Sequence, residues 1–446
     1  MIENNYRIKS ARGTAISILY DIEEKGSYTN IILKKKLDEG SLSQVDKGLV
    51  KAIVYGTEKN KLFLDSVIAS FTKKSLKSIS PWILAILRTG IYQILYLDKV
   101  PSFAIVNECV EISKSVDKGR GSGFVNGVLR NVARNADQIK SREIPENLKY
   151  SVPKWLFDFV KSFYGSRFTT EFFKASMDEP ELNIRVNTLK TNKLELQDIL
   201  RSEGIESFSN KYVYDSLKTL GMVNISDLES YKKGLYIIQD EGAMLSVEAM
   251  DLKDGNTVLD MCAAPGGKTT HIAQKIGSGT VVARDVHKHK IKLIEDNLKR
   301  MGMKNAICQL HDGSMPPDRD ELESYDSVLL DAPCSGIGII RRKPDIKYNL
   351  TPKKLHELQL IQKNLILNAY DSLKKGGLLV YTTCTINPRE NQGVVDFLLK
   401  KRPDCEIDRE FEANIFNGLV DENGFVKLFP NVHGTDGFFI ARIRKK

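Results

Sequence analysis

Cysteine is scarce in this 446-residue chain, and none of the six, at 109, 262, 308, 334, 384 and 405, stands in a Cys-x-x-Cys pair. Scattered thiols of this kind fit a reducing compartment and exclude a disulfide framework or a cysteine zinc site. His271, His287, His289 and His311 pair with no cysteine or acid at ligand spacing, so no metal is expected. Long apolar runs are missing too. The longest, Pro81 to Leu97, is interrupted by Arg88, Thr89 and Gln93, whereas a membrane span needs roughly 20 apolar positions. No basic-then-apolar leader opens the chain, and a cytoplasmic protein is expected. No repeat of fixed period occurs, which excludes a solenoid.

What is present is an ordinary globular composition, 41% hydrophobic and 28% charged. At about 100–200 residues per domain, the length implies two to four domains. The charge is unevenly spread: residues 1–140 carry 22 Lys and Arg against 14 Asp and Glu, and the remaining 306 carry 44 against 43. A basic part joined to a nearly neutral one points to a polyanion held by the first.

Residues 1–140 read as an all-α domain. Ser80-Pro81 supplies an N-cap and a first-turn proline, and Ile83, Leu84, Ile86, Leu87, Ile91, Ile94 and Leu95 follow at helical spacing. A polar linker, 136–150, leads to a small α+β domain at 151–235 with a helix from Lys154 to Phe163, a strand near Asn183–Val186 and a helix near Leu194–Glu203. From 236 to 446 strand-like and helical runs alternate, the pattern of a largely parallel Rossmann-like α/β sheet. Helices are expected at Pro352–Leu373 and from Asn387-Pro388 onward. Ligands of such sheets sit beyond the carboxyl ends of the strands, so residues there carry the functional reading.

The first strand of the alternating part ends in DMCAAPGGKT (260–269). A phosphate-cradling loop would need G-x-x-x-x-G-K-[ST], but its first glycine position is Cys262, and the dinucleotide fingerprint G-x-G-x-x-G is absent. The next two strands end in Asp285 and Asp312. Asp285 is placed to take the hydroxyls of a ribose and Asp312 the edge of an adenine. Loop, acid and acid on successive strand ends fit a ligand with ribose and base but no triphosphate, S-adenosylmethionine.

Two further strands end in Asp331-Ala-Pro-Cys334 and Tyr381-Thr-Thr-Cys384. Most cysteines are small buried residues, and Cys109, Cys308 and Cys405 are read that way. Cys334 and Cys384 instead follow their strands in turn-prone settings on the cofactor edge. A thiolate beside a methyl donor suits one chemistry. Carbon 5 of a pyrimidine becomes nucleophilic only after a thiolate adds to carbon 6, so covalent catalysis splits a hard step into easier ones. Asp331 could bond the cytosine N3/N4 edge, and the target base must leave its stack to be reached. The residues alone leave open which cysteine attacks and what activates it.

Several blocks resemble the bacterial RNA cytosine-5 methyltransferases of the Sun/Fmu type: QDEGAMLSVEAMD (239–251), DMCAAPGGKT (260–269), DAPCSGIGIIRRKPDIKY (331–348), YTTCTINPRENQGVV (381–395) and DGFFIARIRK (436–445). The resemblance implies Cys384 as nucleophile, Cys334 as an aid to release of the methylated RNA, and Asp331 beside them. It implies cofactor contacts from Cys262, Ala263, Ala264, Pro265, Gly266, Gly267, Lys268, Asp285, Asp312 and Asp331. In ARDVHKHKIKL (283–293), Arg284 stands where the family more often has a small or apolar residue. SARGTAISILYDIEEKGSYTNIIL (10–33) and KVPSFAIVNECVEISKSVDKGRGSGFVNGVLRNVAR (99–134) resemble a NusB-like RNA-binding domain. Together these imply a monomer acting on a cytosine of 16S ribosomal RNA, free or in a partly assembled small subunit. Arg341, Arg342 and Lys343 are expected to clamp RNA phosphate beside the site, with Arg130 and Arg134 doing so in the first domain. The rival readings are a P-loop-like NTPase acting on RNA and a non-catalytic RNA-binding antitermination factor.

Overall fold

The structure, a computed structural model, describes residues 9–26, 29–219 and 225–446. It divides into two compact units, one running to Met177 and including Ile340–Asn349, the other comprising Asp178–Ile339 and Leu350–Lys446. Among the described residues no helix is long and apolar enough to cross a membrane.

The described part of the first unit is helical. Three of its helices start on serine caps whose side chains accept a backbone N–H: Ser10 from Gly13, Ser43 from Asp46 and Ser80 from Ile83. The helix Pro81–Tyr96 is central, with Ile83, Leu84, Ile86, Leu87, Ile91 and Leu95 buried. Gly90 lets a neighbour come close: a Cβ there would lie 2.8 Å from Leu129 Cδ1 and 3.3 Å from Cys109 Sγ. The stretch expected as a linker contains two short helices, Ala136–Ser141 and Glu146–Lys149, the second preceded by Pro145 at its cap. The helix expected to stop at Phe163 changes direction at Gly165 (φ 77°) and continues to Ala175. Ile340–Asn349 packs within this same unit. The buried Lys347 ammonium donates to the carbonyls of Lys59 (2.9 Å) and Tyr150 (3.3 Å).

The second unit holds two sheets, built from β1 (Leu182–Val186), β2 (Ser207–Ser209), β3 (Ser216–Thr219), β4 (Tyr236–Ile238), β5 (Thr257–Asp260), β6 (Thr280–Asp285), β7 (Ala306–Leu310), β8 (Tyr325–Asp331), β9 (Leu373–Thr383), β10 (Cys405–Ile407), β11 (Phe425–Leu428) and β12 (Phe438–Lys445). The first sheet is antiparallel in the order β2-β3-β1-β4. The second runs β10-β12-β9-β8-β5-β6-β7, with β11 also on β12. Its pairs from β9 to β7 are parallel and those made by β12 antiparallel. Successive strand residues enter opposite cores: Val258, Val281, Leu329 and Val380 join one apolar cluster, Leu259, Val282, Val328 and Leu379 the other. A sheet covered on both faces leaves its strand ends as the place where polar chemistry meets solvent. Two boundaries differ from expectation. The helix from Pro352 ends at Asp371, with Leu373 opening β9, and the helix expected at Asn387-Pro388 starts only at Gln392.

Candidate active site

The loop after β5 turns at Gly266 (φ 96°), where any Cβ would lie 3.1 Å from Ile294 Cα. Only glycine tolerates both the left-handed backbone and that approach. The helix Gly267–Lys275 follows, and no side chain caps it. Three consecutive residues at its start reach three different strands. Lys268 Nζ donates to Asp331 Oδ2 at the end of β8 (2.6 Å), Thr269 Oγ1 to Asp260 Oδ2 at the end of β5 (2.7 Å), and Thr270 Oγ1 accepts from Arg185 on β1 (2.8 Å). Ala263 N donates to Arg284 O (2.8 Å), tying the loop to β6. Burial pushes the Asp260 carboxyl up to about 7 despite the Thr269 hydrogen bond. Burial and the surrounding carboxylates push the Cys262 thiol far above its ordinary range, which leaves it a poor nucleophile.

Asp285 and Asp312 stand at the ends of the adjacent strands β6 and β7. Asp285 is buried, accepts from His287 N (3.0 Å) and lies 3.6 Å from Lys290 Nζ. Asp312 is exposed; the hydroxyl and backbone N–H of Ser314 hold its carboxyl below the usual range. The unusual Arg284 is buried, donating to Gln309 Oε1 (2.8 Å) and pairing with Glu321. A charge at that position is thus neutralised locally and leaves the strand end undisturbed.

Cys334 and Cys384 meet: their sulfurs are 3.4 Å apart and both are half-buried. The hydrogen bond that its S–H makes with the Cys384 sulfur, together with burial, raises the Cys334 thiol well above its usual value. Lys268 is part of the same cluster. Burial disfavours its ammonium, but the Asp331 carboxylate more than offsets this, with Asp260 and Cys384 adding to the effect, and its pKa rises. Its Nζ also sits 5.4 Å from the centre of the Phe438 ring.

A buried polar knot fixes the two cysteine loops. Glu390, fully buried, accepts from Ser335 N (2.8 Å), Gln362 Nε2 (3.0 Å) and Asn387 Nδ2 (2.8 Å). Ser335 and Thr385 hydroxyls bond at 2.7 Å, and Asn391 ties Thr383 Oγ1 to Thr385 O. Gly338 donates to Cys384 O (3.1 Å), and a Cβ on it would lie 2.1 Å from Gly437 O. Sequence reading missed Glu390, Ser335, Asn387 and Asn391. The available signal was an Asn-Pro-Arg-Glu-Asn run (387–391) that begins three residues after Cys384.

Three observations fit this end of the sheet to S-adenosylmethionine: an uncapped helix start opened by Gly266, two carboxylates on the next strand ends, and two buried polar atoms, Asp260 Oδ1 and Gln239 Nε2, without hydrogen-bond partners among the described residues. Comparison with known proteins decides the family. A model described as 16S rRNA methyltransferase RsmB/F matches residues 247–444, the NusB family model matches 9–134, and a ferredoxin-like domain model of RsmF/B-like methyltransferases matches 152–226. The "Probable ribosomal RNA small subunit methyltransferase B" of Bacillus subtilis is 36% identical, covering 98% of this chain and 99% of its own. The chain belongs to the RsmB/F family of 16S ribosomal RNA methyltransferases. Among solved structures, the RsmB/F chain resembles PH0851 (TM-score 0.81, 28% identity, 98% of this chain and 99% of that one). It also resembles NSun6 from Pyrococcus horikoshii, solved with SFG (TM-score 0.59, 26% identity, 66% and 98%). The fold is therefore a NusB-type helical domain, a ferredoxin-like domain and a methyltransferase domain with a mostly parallel sheet.

The basic residues of this RsmB/F chain fall into separate settings. Arg130 and Arg134 are exposed, with Arg130 Nε bonded to Asn126 Oδ1 (2.8 Å). Lys343 is exposed and Arg342 half-buried, but Arg341 is buried and thus poorly placed to meet a solvent-borne phosphate. A different basic group lines a cleft of about 420 Å³ in the first unit: Lys74, Lys118 and Arg120, with Phe124, whose ring centre lies 4.9 Å from Lys74 Nζ.

Proposed function

We propose that the chain methylates carbon 5 of a cytosine in 16S ribosomal RNA, cytosine 967 in the usual numbering, through a covalent adduct with Cys384. The observation that carries this reading is the pair of thiols 3.4 Å apart, at neighbouring strand ends shared with the Lys268–Asp331 ion pair. S-adenosylmethionine, when bound by residues 262–268, Asp285 and Asp312, supplies an electrophilic methyl group there. SFG, seen with the relative NSun6, is an analogue of that cofactor.

The chain's own residues divide the remaining work. Of the two thiols, Cys334 is held protonated by its neighbour and by burial. Cys384, beside the Lys268 ammonium, is the one to add as thiolate to carbon 6 of the base. Asp331, oriented by Lys268, bonds the N3/N4 edge of the cytosine and stabilises the adduct. Water then takes the carbon-5 proton, the electrons of that C–H bond re-form the C5–C6 double bond and expel the Cys384 sulfur as thiolate, and the Cys334 S–H donates to that thiolate as the RNA leaves. We assign RNA capture to residues 1–140 and 151–235, and the chemistry to 236–446. The test is transfer of a labelled methyl group to unmodified small-subunit RNA, free or as a partly assembled particle, with bisulfite mapping of the product. Label on one cytosine, absent with Cys384→Ser, is expected. Binding of ATP without methyl transfer would favour a nucleotide-driven enzyme and overturn the reading.

A further inference from the structure

We infer that Gln239, oriented by Arg185, donates a hydrogen bond to the carboxylate at the amino-acid end of the cofactor. The inference rests on the S-adenosylmethionine reading above. Arg185 on β1 is 1% exposed, and its guanidinium makes four hydrogen bonds within the unit. It donates to Gln239 Oε1 (2.9 Å), Gln274 Oε1 (2.9 Å), Thr270 Oγ1 (2.8 Å) and, more weakly, Gly267 O (3.4 Å). A guanidinium has donors and no acceptor, so the Gln239 amide must turn its oxygen toward Arg185. Its NH₂ group therefore faces away from Arg185.

That NH₂ group is buried, on a residue only 7% exposed, and it has no hydrogen-bond partner among the described residues. Buried polar groups are nearly always paired, so an orphan held in a fixed direction marks a place for a partner. Its location says which. A Cβ built on Gly267 would have one neighbour within 4 Å, the Gln239 amide carbon at 3.8 Å. Gly267 is the first residue of a nine-residue helix that no side chain caps. The amide donor and the free N–H groups of that first turn thus share one spot, where the helix dipole also favours negative charge. The nearby cations have partners of their own, Lys268 in Asp331 and Arg185 in its four acceptors. The site is built for a single, neutral-donor-bound anion, and the only anionic group of S-adenosylmethionine is its carboxylate.

Calorimetric titration of the full chain with S-adenosylhomocysteine and with 5′-methylthioadenosine, which lacks the amino-acid end, separates this role from a general packing one. Wild-type protein is expected to bind the first and, more weakly, the second. Gln239→Leu is expected to lose about tenfold in affinity for S-adenosylhomocysteine and nothing for methylthioadenosine. Gln239→Glu, which keeps the acceptor for Arg185 but puts an anion where the NH₂ stood, is expected to lose more for the first ligand and again nothing for the second. It also serves if the leucine variant fails to fold. Equal losses for both ligands, or none for S-adenosylhomocysteine, would overturn the assignment. Failure of the wild type to bind either ligand would instead remove the cofactor reading, and the inference with it.

Discussion

Lys268 is the side chain through which the cofactor loop acts on the cysteines. Its ammonium, Asp331 and the sulfur pair form one electrostatic group, so removing the cation leaves a partly buried carboxylate unpaired beside a thiol that must ionise. Lys268→Met is expected to lower kcat by about a hundredfold in methyl-transfer assays. Cys334→Ala is expected to accumulate a covalent protein–RNA adduct visible on denaturing gels, and Cys384→Ala to form none; the reverse would exchange the two roles. Asp260 yields a stability prediction. Its folded pKa of about 7 lies above the ordinary 3.8, so between these values the unfolded carboxyl ionises more readily than the folded one. Its contribution therefore falls as pH rises through that window. Asp260→Asn, which can still accept from Thr269, is expected to gain stability relative to wild type from pH 4 to pH 7 in urea titrations. At this scale Cys334, Cys384, Asp285 and Asp312 stood out as candidates because each falls at or just past the end of a strand. Arg185, Gln239 and Glu390 did not, because most of their partners lie 28 or more residues away along the chain.

The turn Asn387–Asn391 shows why element boundaries are harder to read than elements. Asn-Pro followed by charged residues looks like a helix start, yet Asn387, Glu390 and Asn391 turn inward to bond the cysteine loops, and the helix begins only at Gln392. Tertiary hydrogen bonds outweigh a local capping preference here. Glu390→Gln keeps the shape but turns an NH₂ group toward one or more of three donors. It is expected to cost about 2 kcal/mol in chemical denaturation and to reduce methyl transfer while cofactor affinity stays unchanged. The central strands β5, β6 and β8 of the large sheet were legible because buried parallel strands read as runs of apolar residues, whereas the first residues of β9 read as the end of the preceding helix. The short edge strands β2, β4 and β10, three residues each, carry no such pattern.

For the whole molecule, the surplus of basic residues in the first 140 finds a physical setting in the cleft lined by Lys74, Lys118 and Arg120 around Phe124. Phosphate contacts give RNA binding its salt dependence. Replacing the three cations with alanine is expected to weaken RNA binding and flatten its dependence on salt concentration, with S-adenosylhomocysteine affinity unchanged; an unaltered salt slope would place the RNA elsewhere. The charge asymmetry and domain types were visible in composition and motifs. The membership of Ile340–Asn349 in the first unit was not, since those residues read as the simple continuation of the segment after Cys334. That excursion has a practical corollary. Lys347 fills a socket made by Lys59 and Tyr150, so a protease nick just after Met177 would sever the backbone without freeing the N-terminal fragment. The two pieces should travel together on a sizing column and part only under denaturant.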